Sequence, residues 1–201
     1  MTTLYYTPGS CALAVRIALE EARWPYALER VDFASAQQRS SEFLAINAKG
    51  RVPALATHEG VLTETPALLA YVAQICPAAK LAPTTPFGLA RMHELNSYLA
   101  STVHVAHAHR LRASRWADDP AAIAAMQRKV SANMNDCFAY LETHYLQSDW
   151  ALGEQFTVSD AYLFTVASWL KNDGVEIARF PRTQAHQLRM LARPAVQRAM
   201  A

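Results

Sequence analysis

Cys11 follows Tyr6-Thr7-Pro8-Gly9-Ser10 and stands where a helix is expected to begin. The free N–H groups and positive dipole end of a helix start favour an anion, so this position favours thiolate and a lowered cysteine pKa. The residue also reads as a small buried hydrophobe, because free cysteine is among the most buried types. Position alone leaves both readings open. Glu64-Thr65-Pro66 joins an expected strand to an expected helix, which puts Thr65 beside N–H groups able to receive a carboxylate. Glu64 is able to bind an ammonium, so the pair suits the two charges of an α-amino acid group. A plain helix cap is the competing reading. His104, His107 and His109 invite a metal, but their spacing does not share one helix face, and no metal is expected.

These residues need elements to position them. Residues 3 to 7 read as a strand stopped by Pro8-Gly9, followed by a helix from Leu13 to about Arg23 that Pro25 ends, and a second strand over Tyr26–Val31. Two strands about a dozen helical residues apart form a βαβ unit with a parallel pair. A short helix, Glu42–Ile46, leads to a turn at Asn47-Ala48-Lys49-Gly50. Val52–Ala56 and Val61–Thr63 then read as an antiparallel hairpin, and Leu68, Leu69, Val72 and Ile75 mark an amphipathic helix over Thr65–Ile75. This order of elements is thioredoxin-like, and in such folds a proline placed like Pro53 follows a cis bond. The fold must carry that expectation, since only about 5–6% of X-Pro bonds are cis.

Pro77, Pro83 and Pro86 interrupt the chain, so residues 77–86 read as a linker between domains at 1–76 and 87–201. Beyond it strand signals cease. Helices are expected over about Phe87–Arg112, Pro120–Leu146, Val158–Lys171 and Thr183–Ala192, which makes the second domain all-α. Thr157-Val158-Ser159-Asp160 is a capping-box variant with a folding role. Trp116, Trp150 and Trp169 read as packing residues, and Arg110, Arg112 and Arg115 as a solvated helix end.

The 201 residues are 52% hydrophobic and 18% charged, enough to bury a core and far from disordered composition. A net charge of +2 with no dense basic cluster argues against nucleic acid. No run of about 20 apolar residues and no signal-like start is seen, so a soluble cytoplasmic protein off the membrane is expected. Three widely spaced cysteines, Cys11, Cys76 and Cys137, argue against a disulfide framework or a Cys-x-x-Cys motif.

Four segments together resemble the bacterial beta-class glutathione transferases. They are Tyr5–Cys11, Phe43–Pro53, Leu62-Thr63-Glu64 and Phe156–Phe164, in matching order over nearly the whole chain. The resemblance implies the glutathione transferase fold, an α/β thioredoxin-like N-terminal domain followed by an all-α C-terminal helical domain. It implies glutathione as co-substrate, a small apolar acceptor, a homodimer and a part in detoxification. By position, Cys11 matches a cysteine facing the glutathione sulfur, with Ser10 and Tyr6 beside it and His104 on the thiol side of the cleft. Val52, fixed by Pro53, matches the main-chain partner of the cysteinyl part, Glu64 and Thr65 hold the γ-glutamyl end, and Lys49 belongs to the adjoining loop.

Two departures stand out. The loop lysine expected to meet the glycyl carboxylate is missing from Ala34–Arg39, unless Arg39 replaces it, and the usual lysine after His104 is Val105. They favour a second reading, a binding or stress-response protein of this fold with little transferase activity. The retained Cys11, Val52-Pro53 and Glu64-Thr65 favour the enzyme, which transfers the glutathione thiol to an electrophilic or disulfide-bearing acceptor.

Overall fold

The computed structural model describes residues 1–201. β1 (Thr2–Tyr6), α1 (Ala12–Ala22) and β2 (Tyr26–Arg30) form the βαβ unit, with the strands parallel and Leu4 opposite Leu28. α2 (Ser41–Ile46) is capped by the Ser40 hydroxyl, which accepts from Phe43 N at 3.2 Å. β3 (Ala54–Ala56) and β4 (Val61–Thr63) make the antiparallel hairpin, and β3 lies antiparallel to β1, giving the order β2-β1-β3-β4. α3 (Thr65–Ile75) covers the sheet and ends ahead of Pro77.

The rest is helical: α4 (Pro86–Tyr98), α5 (His104–Arg112), α6 (Pro120–His144), α7 (Val158–Ala167), α8 (Pro181–Leu191) and α9 (Pro194–Met200). The single helix expected from Phe87 to Arg112 is divided by a π-turn at Leu99–Val103. The widened turn re-aims everything after it, and His104 is the first residue it re-aims. The seven-residue α9 was not expected, because so short a segment carries too few turns for its periodicity to be read.

α1 is the keystone. Its apolar positions Val15, Ile17 and Leu19 are fully buried, and it packs against α3 of its own half and against α7 and α9 of the helical half. Burying each such side chain contributes about 1.5–3 kcal/mol. α7 is buried on every side, as a helix at the centre of a core must be. Within it the Asp160 carboxylate accepts from Thr157 N at 2.8 Å, the Thr157 hydroxyl at 3.2 Å and Ala151 N at 2.8 Å, and meets His186 Nε2 at 3.0 Å. The capping box is formed, and these four partners offset the cost of a fully buried charge. Between the halves, Val158 N donates to Leu81 O at 2.9 Å and Arg198 Nε to Glu20 at 2.6 Å. No helix is long and apolar enough to cross a membrane.

Candidate active site

The β1–α1 loop turns at Gly9, whose φ of 74° suits a residue without a side chain. It delivers Ser10 and Cys11 to the start of α1. The Ser10 hydroxyl donates to Thr7 O at 2.6 Å, and the Cys11 thiol points to the Val52 carbonyl with its sulfur 4.0 Å away. Cys11 is buried, and burial pushes its thiol pKa up, against a smaller downward pull from the Thr65 hydroxyl. Of the two readings left open for Cys11, burial favours the small buried hydrophobe over the thiolate. Desolvation acts on the whole charge of a thiolate, whereas the helix dipole supplies only a partial one.

Val52 lies beside Cys11 on the same wall, and the Val52–Pro53 bond is cis, as expected. The Val52 N–H bonds no other group of the chain, so an amide donor stands free at the cleft wall. Glu64 holds the left-handed φ of 71°, which costs a non-glycine residue about 1–3 kcal/mol and is typical of functional sites. It is the residue before α3, whose first residue, Thr65, is buried and leaves its N–H unpaired. The Lys49 ammonium reaches the Glu64 carboxylate and the Thr63 hydroxyl, the latter at 2.6 Å.

These residues line one side of a cleft of about 320 Å³ between the halves. Ser10, Cys11, Val52, Pro53, Glu64, Thr65 and His104 all reach its wall, whereas Tyr6 and Lys49 do not. Tyr6 is held in the sheet, its carbonyl accepting from Val31 N at 2.8 Å. Lys49 acts on the cleft through Thr63 and Glu64, both of which line it.

The helical half supplies the opposite wall. Burial, followed by the neighbouring His107, lowers the His104 pKa to about 4, so its imidazole is neutral at pH 7. His107 stacks on Trp169 with ring centroids 4.3 Å apart, and its Nδ1 meets the buried Asp173 carboxylate at 2.8 Å. Tyr162 of α7 also reaches the cleft, and burial, with Cys11 next in effect, raises its phenol pKa. Sequence reasoning missed Tyr162, His107 and the lining role of Trp169. Trp116, read as a packing residue, is 48% exposed at the cleft. Arg39 and Val105, the two places of departure, both line it as well.

The family model for the glutathione S-transferase N-terminal domain matches residues 1–74, and that for the C-terminal domain matches residues 106–198. The chain belongs to the glutathione S-transferase family. Glutathione S-transferase GstA of Escherichia coli O157:H7 is 30% identical over 200 residues, covering 98% of this chain and 96% of the relative. A glutathione transferase homologue from Sulfitobacter, solved with bound glutathione, is 48% identical with a TM-score of 0.96, covering 98% of this chain and 96% of the other. A sphingomonad glutathione S-transferase complexed with glutathione is 30% identical with a TM-score of 0.86, over 98% of this chain and 96% of that one. The chain is thus a glutathione transferase enzyme, with the thioredoxin-like and helical halves of that fold.

Proposed function

We propose that this transferase binds glutathione along Val52, Glu64 and Thr65 and joins its sulfur to an electrophilic acceptor held against the helical half. The observation that carries the reading is the unpaired Val52 N–H, set between the start of α1 and the Glu64–Thr65 corner. Glutathione is a peptide-like thiol, and its needs match the groups present. Its cysteinyl unit takes the free Val52 amide, its γ-glutamyl carboxylate the start of α3, and its ammonium Glu64. Its glycyl carboxylate falls to Arg39 or Arg51, which line the same wall.

Catalysis then rests on position and charge. The start of α1 and the Cys11 S–H favour a thiolate on the bound ligand, whose thiol proton passes to solvent, while Ser10 fixes the loop and His104 places a neutral imidazole on the thiol side of the cleft. The new S–C bond forms as the leaving group departs with its electron pair, and holding both reactants together supplies much of the acceleration. Cys11, buried and kept protonated, is better suited to donate to that thiolate than to attack a disulfide. Conjugation is therefore the favoured chemistry over exchange.

On this reading the protein serves detoxification in the cytoplasm as a two-fold homodimer. Exposed Val61 and Leu62 on β4 and Phe87 on α4 support an apolar contact between the N-terminal half of one protomer and the helical half of its partner. Sedimentation at the mass of one chain would remove the dimer. For the activity, the test is conjugation of glutathione to chlorodinitrobenzene. A rate above the uncatalysed one that saturates in glutathione supports the proposal, and a rate equal to the uncatalysed one overturns it.

A further inference from the structure

The charges lining the cleft do not balance. Arg39, Arg51, Arg112 and Arg115 all reach its wall, and Glu64 is the one carboxylate there. None of the four guanidiniums makes a salt bridge or a side-chain hydrogen bond to any group of the chain. Glu64 is already paired with Lys49. Five other arginines, Arg91, Arg110, Arg189, Arg193 and Arg198, each meet a carboxylate, whereas the four gathered at this cleft do not.

Four distinct backbone sites aim these arginines at one space. Arg39 ends the short turn after β2, Arg51 precedes β3, Arg112 ends α5, and Arg115 lies in the 3-10 turn beyond it. Complementing the dipole of α5 does not account for them, because Arg115 lies beyond the helix and Arg110 is turned to Asp173. The solvated helix end expected from the sequence is, at Arg112 and Arg115, part of the cleft. Burial first, and then Arg112, Arg51 and Arg39, lower the Arg115 pKa, so the guanidiniums sense one another. Like charges gathered in this way repel, and a bound anion relieves the repulsion.

Glutathione does not use all of this charge. Its γ-glutamyl zwitterion is matched at Glu64 and Thr65, and its glycyl carboxylate takes one cation of the N-terminal half. Arg112 and Arg115 stand in the helical half, with exposed Trp116 next to Arg115 and no carboxylate beside them at the wall. We propose that the acceptor is an anion, a small electrophile whose apolar body lies against Trp116 and whose carboxylate is held by Arg112 and Arg115. Guanidinium forks match carboxylates in a two-point contact, which fixes the orientation of the acceptor as well as its charge. The inference rests on the glutathione reading above and narrows its acceptor class.

The test compares chlorodinitrobenzene with its carboxylate-bearing analogue, chlorodinitrobenzoate, each kcat/KM being divided by the rate constant with free glutathione. The analogue is expected to be favoured by roughly tenfold, less so as salt rises, and the double variant Arg112→Gln, Arg115→Gln is expected to lose that preference. Binding of unreactive dinitrobenzoate and dinitrobenzene, read by tryptophan fluorescence with glutathione present, gives the same comparison without turnover. Tighter binding of the benzoate in the wild type, lost in the variant, supports the anionic site even if neither chloride reacts, in which case the transferase reading alone falls. Equal normalised rates and equal binding for the two compounds overturn the inference while conjugation itself stands. A loss of glutathione affinity in the variant as large as the loss for dinitrobenzoate also overturns it, since the arginines would then serve glutathione.

Discussion

The indole N–H of Trp169 donates to the carbonyl oxygen of Gly9 at 3.0 Å, tying the helical half to the loop that presents Ser10 and Cys11. Its ring also stacks on His107, so one side chain sets both walls of the cleft. Trp169→Phe keeps an aromatic ring and removes the donor, leaving the Gly9 carbonyl without this partner. A stability loss of about 1–3 kcal/mol is expected in denaturant unfolding, together with weaker glutathione binding. Unchanged unfolding and unchanged binding would show that the contact positions nothing.

Asp160 offers a contrast, because its partners lie in the fold and outside the cleft. Asp160→Asn keeps the shape but lacks acceptors for all the donors gathered on the carboxylate. Breaking such a buried pair costs about 3–5 kcal/mol. Urea unfolding measures it, and a change below about 1 kcal/mol would contradict the buried network.

The cysteines should react in order of access. Cys76 is half-buried, Cys11 and Cys137 are buried, and burial raises the pKa of each. A thiol-selective reagent at neutral pH should therefore mark Cys76 first, as read by mass spectrometry of the modified peptides. Cys11→Ala should slow aryl chloride conjugation without abolishing it, since in the proposed reaction the glutathione sulfur is the nucleophile. Fastest labelling at Cys11, with all conjugation lost in its alanine variant, would make Cys11 the reactive thiolate.

His104 gives a pH dependence with a defined sign. Its folded pKa near 4 lies below the ordinary 6.5, so between these values the unfolded chain binds a proton that the folded chain refuses. Stability is thus lost as pH falls through that window. His104→Gln cannot take the proton and should lose less stability between pH 7 and pH 4.5, by on the order of 2 kcal/mol. Denaturant unfolding of both proteins at the two pH values measures the difference. Parallel losses would mean that His104 is not held neutral by the fold.

Most of the fold was legible because punctuation residues mark its joints. Pro8-Gly9, Pro25 and Pro77 bound elements whose apolar spacing is plain, and the hairpin closes at Gly60. The N-terminal wall of the cleft was legible as a set of types, an acid before a helix start and an X-Pro before a strand, although the resemblance supplied the proposed roles. The helical wall was not. Tyr162 lies in a helix buried on all sides, so its periodicity singles out no face, and Trp169 follows that helix within the same apolar run. Arg112 and Arg115 gain meaning only beside Arg39 and Arg51, neighbours made by the tertiary fold. For Cys11, chain position carried the helix dipole but not the desolvation that outweighs it.

The most direct measurement for the account as a whole is calorimetric titration of glutathione into the wild-type protein and into Glu64→Gln. The substitution keeps the size of the side chain and removes the charge proposed to meet the γ-glutamyl ammonium. The Lys49–Glu64 pair it breaks is solvent-exposed, with side chains 46% and 64% accessible, so the fold should be little affected. The wild type should bind glutathione saturably, and the variant should bind it more weakly by about 1.5–3 kcal/mol with an unchanged melting temperature. Equal affinity in the two proteins, or no saturable binding by the wild type, would contradict the placement of glutathione at Val52, Glu64 and Thr65.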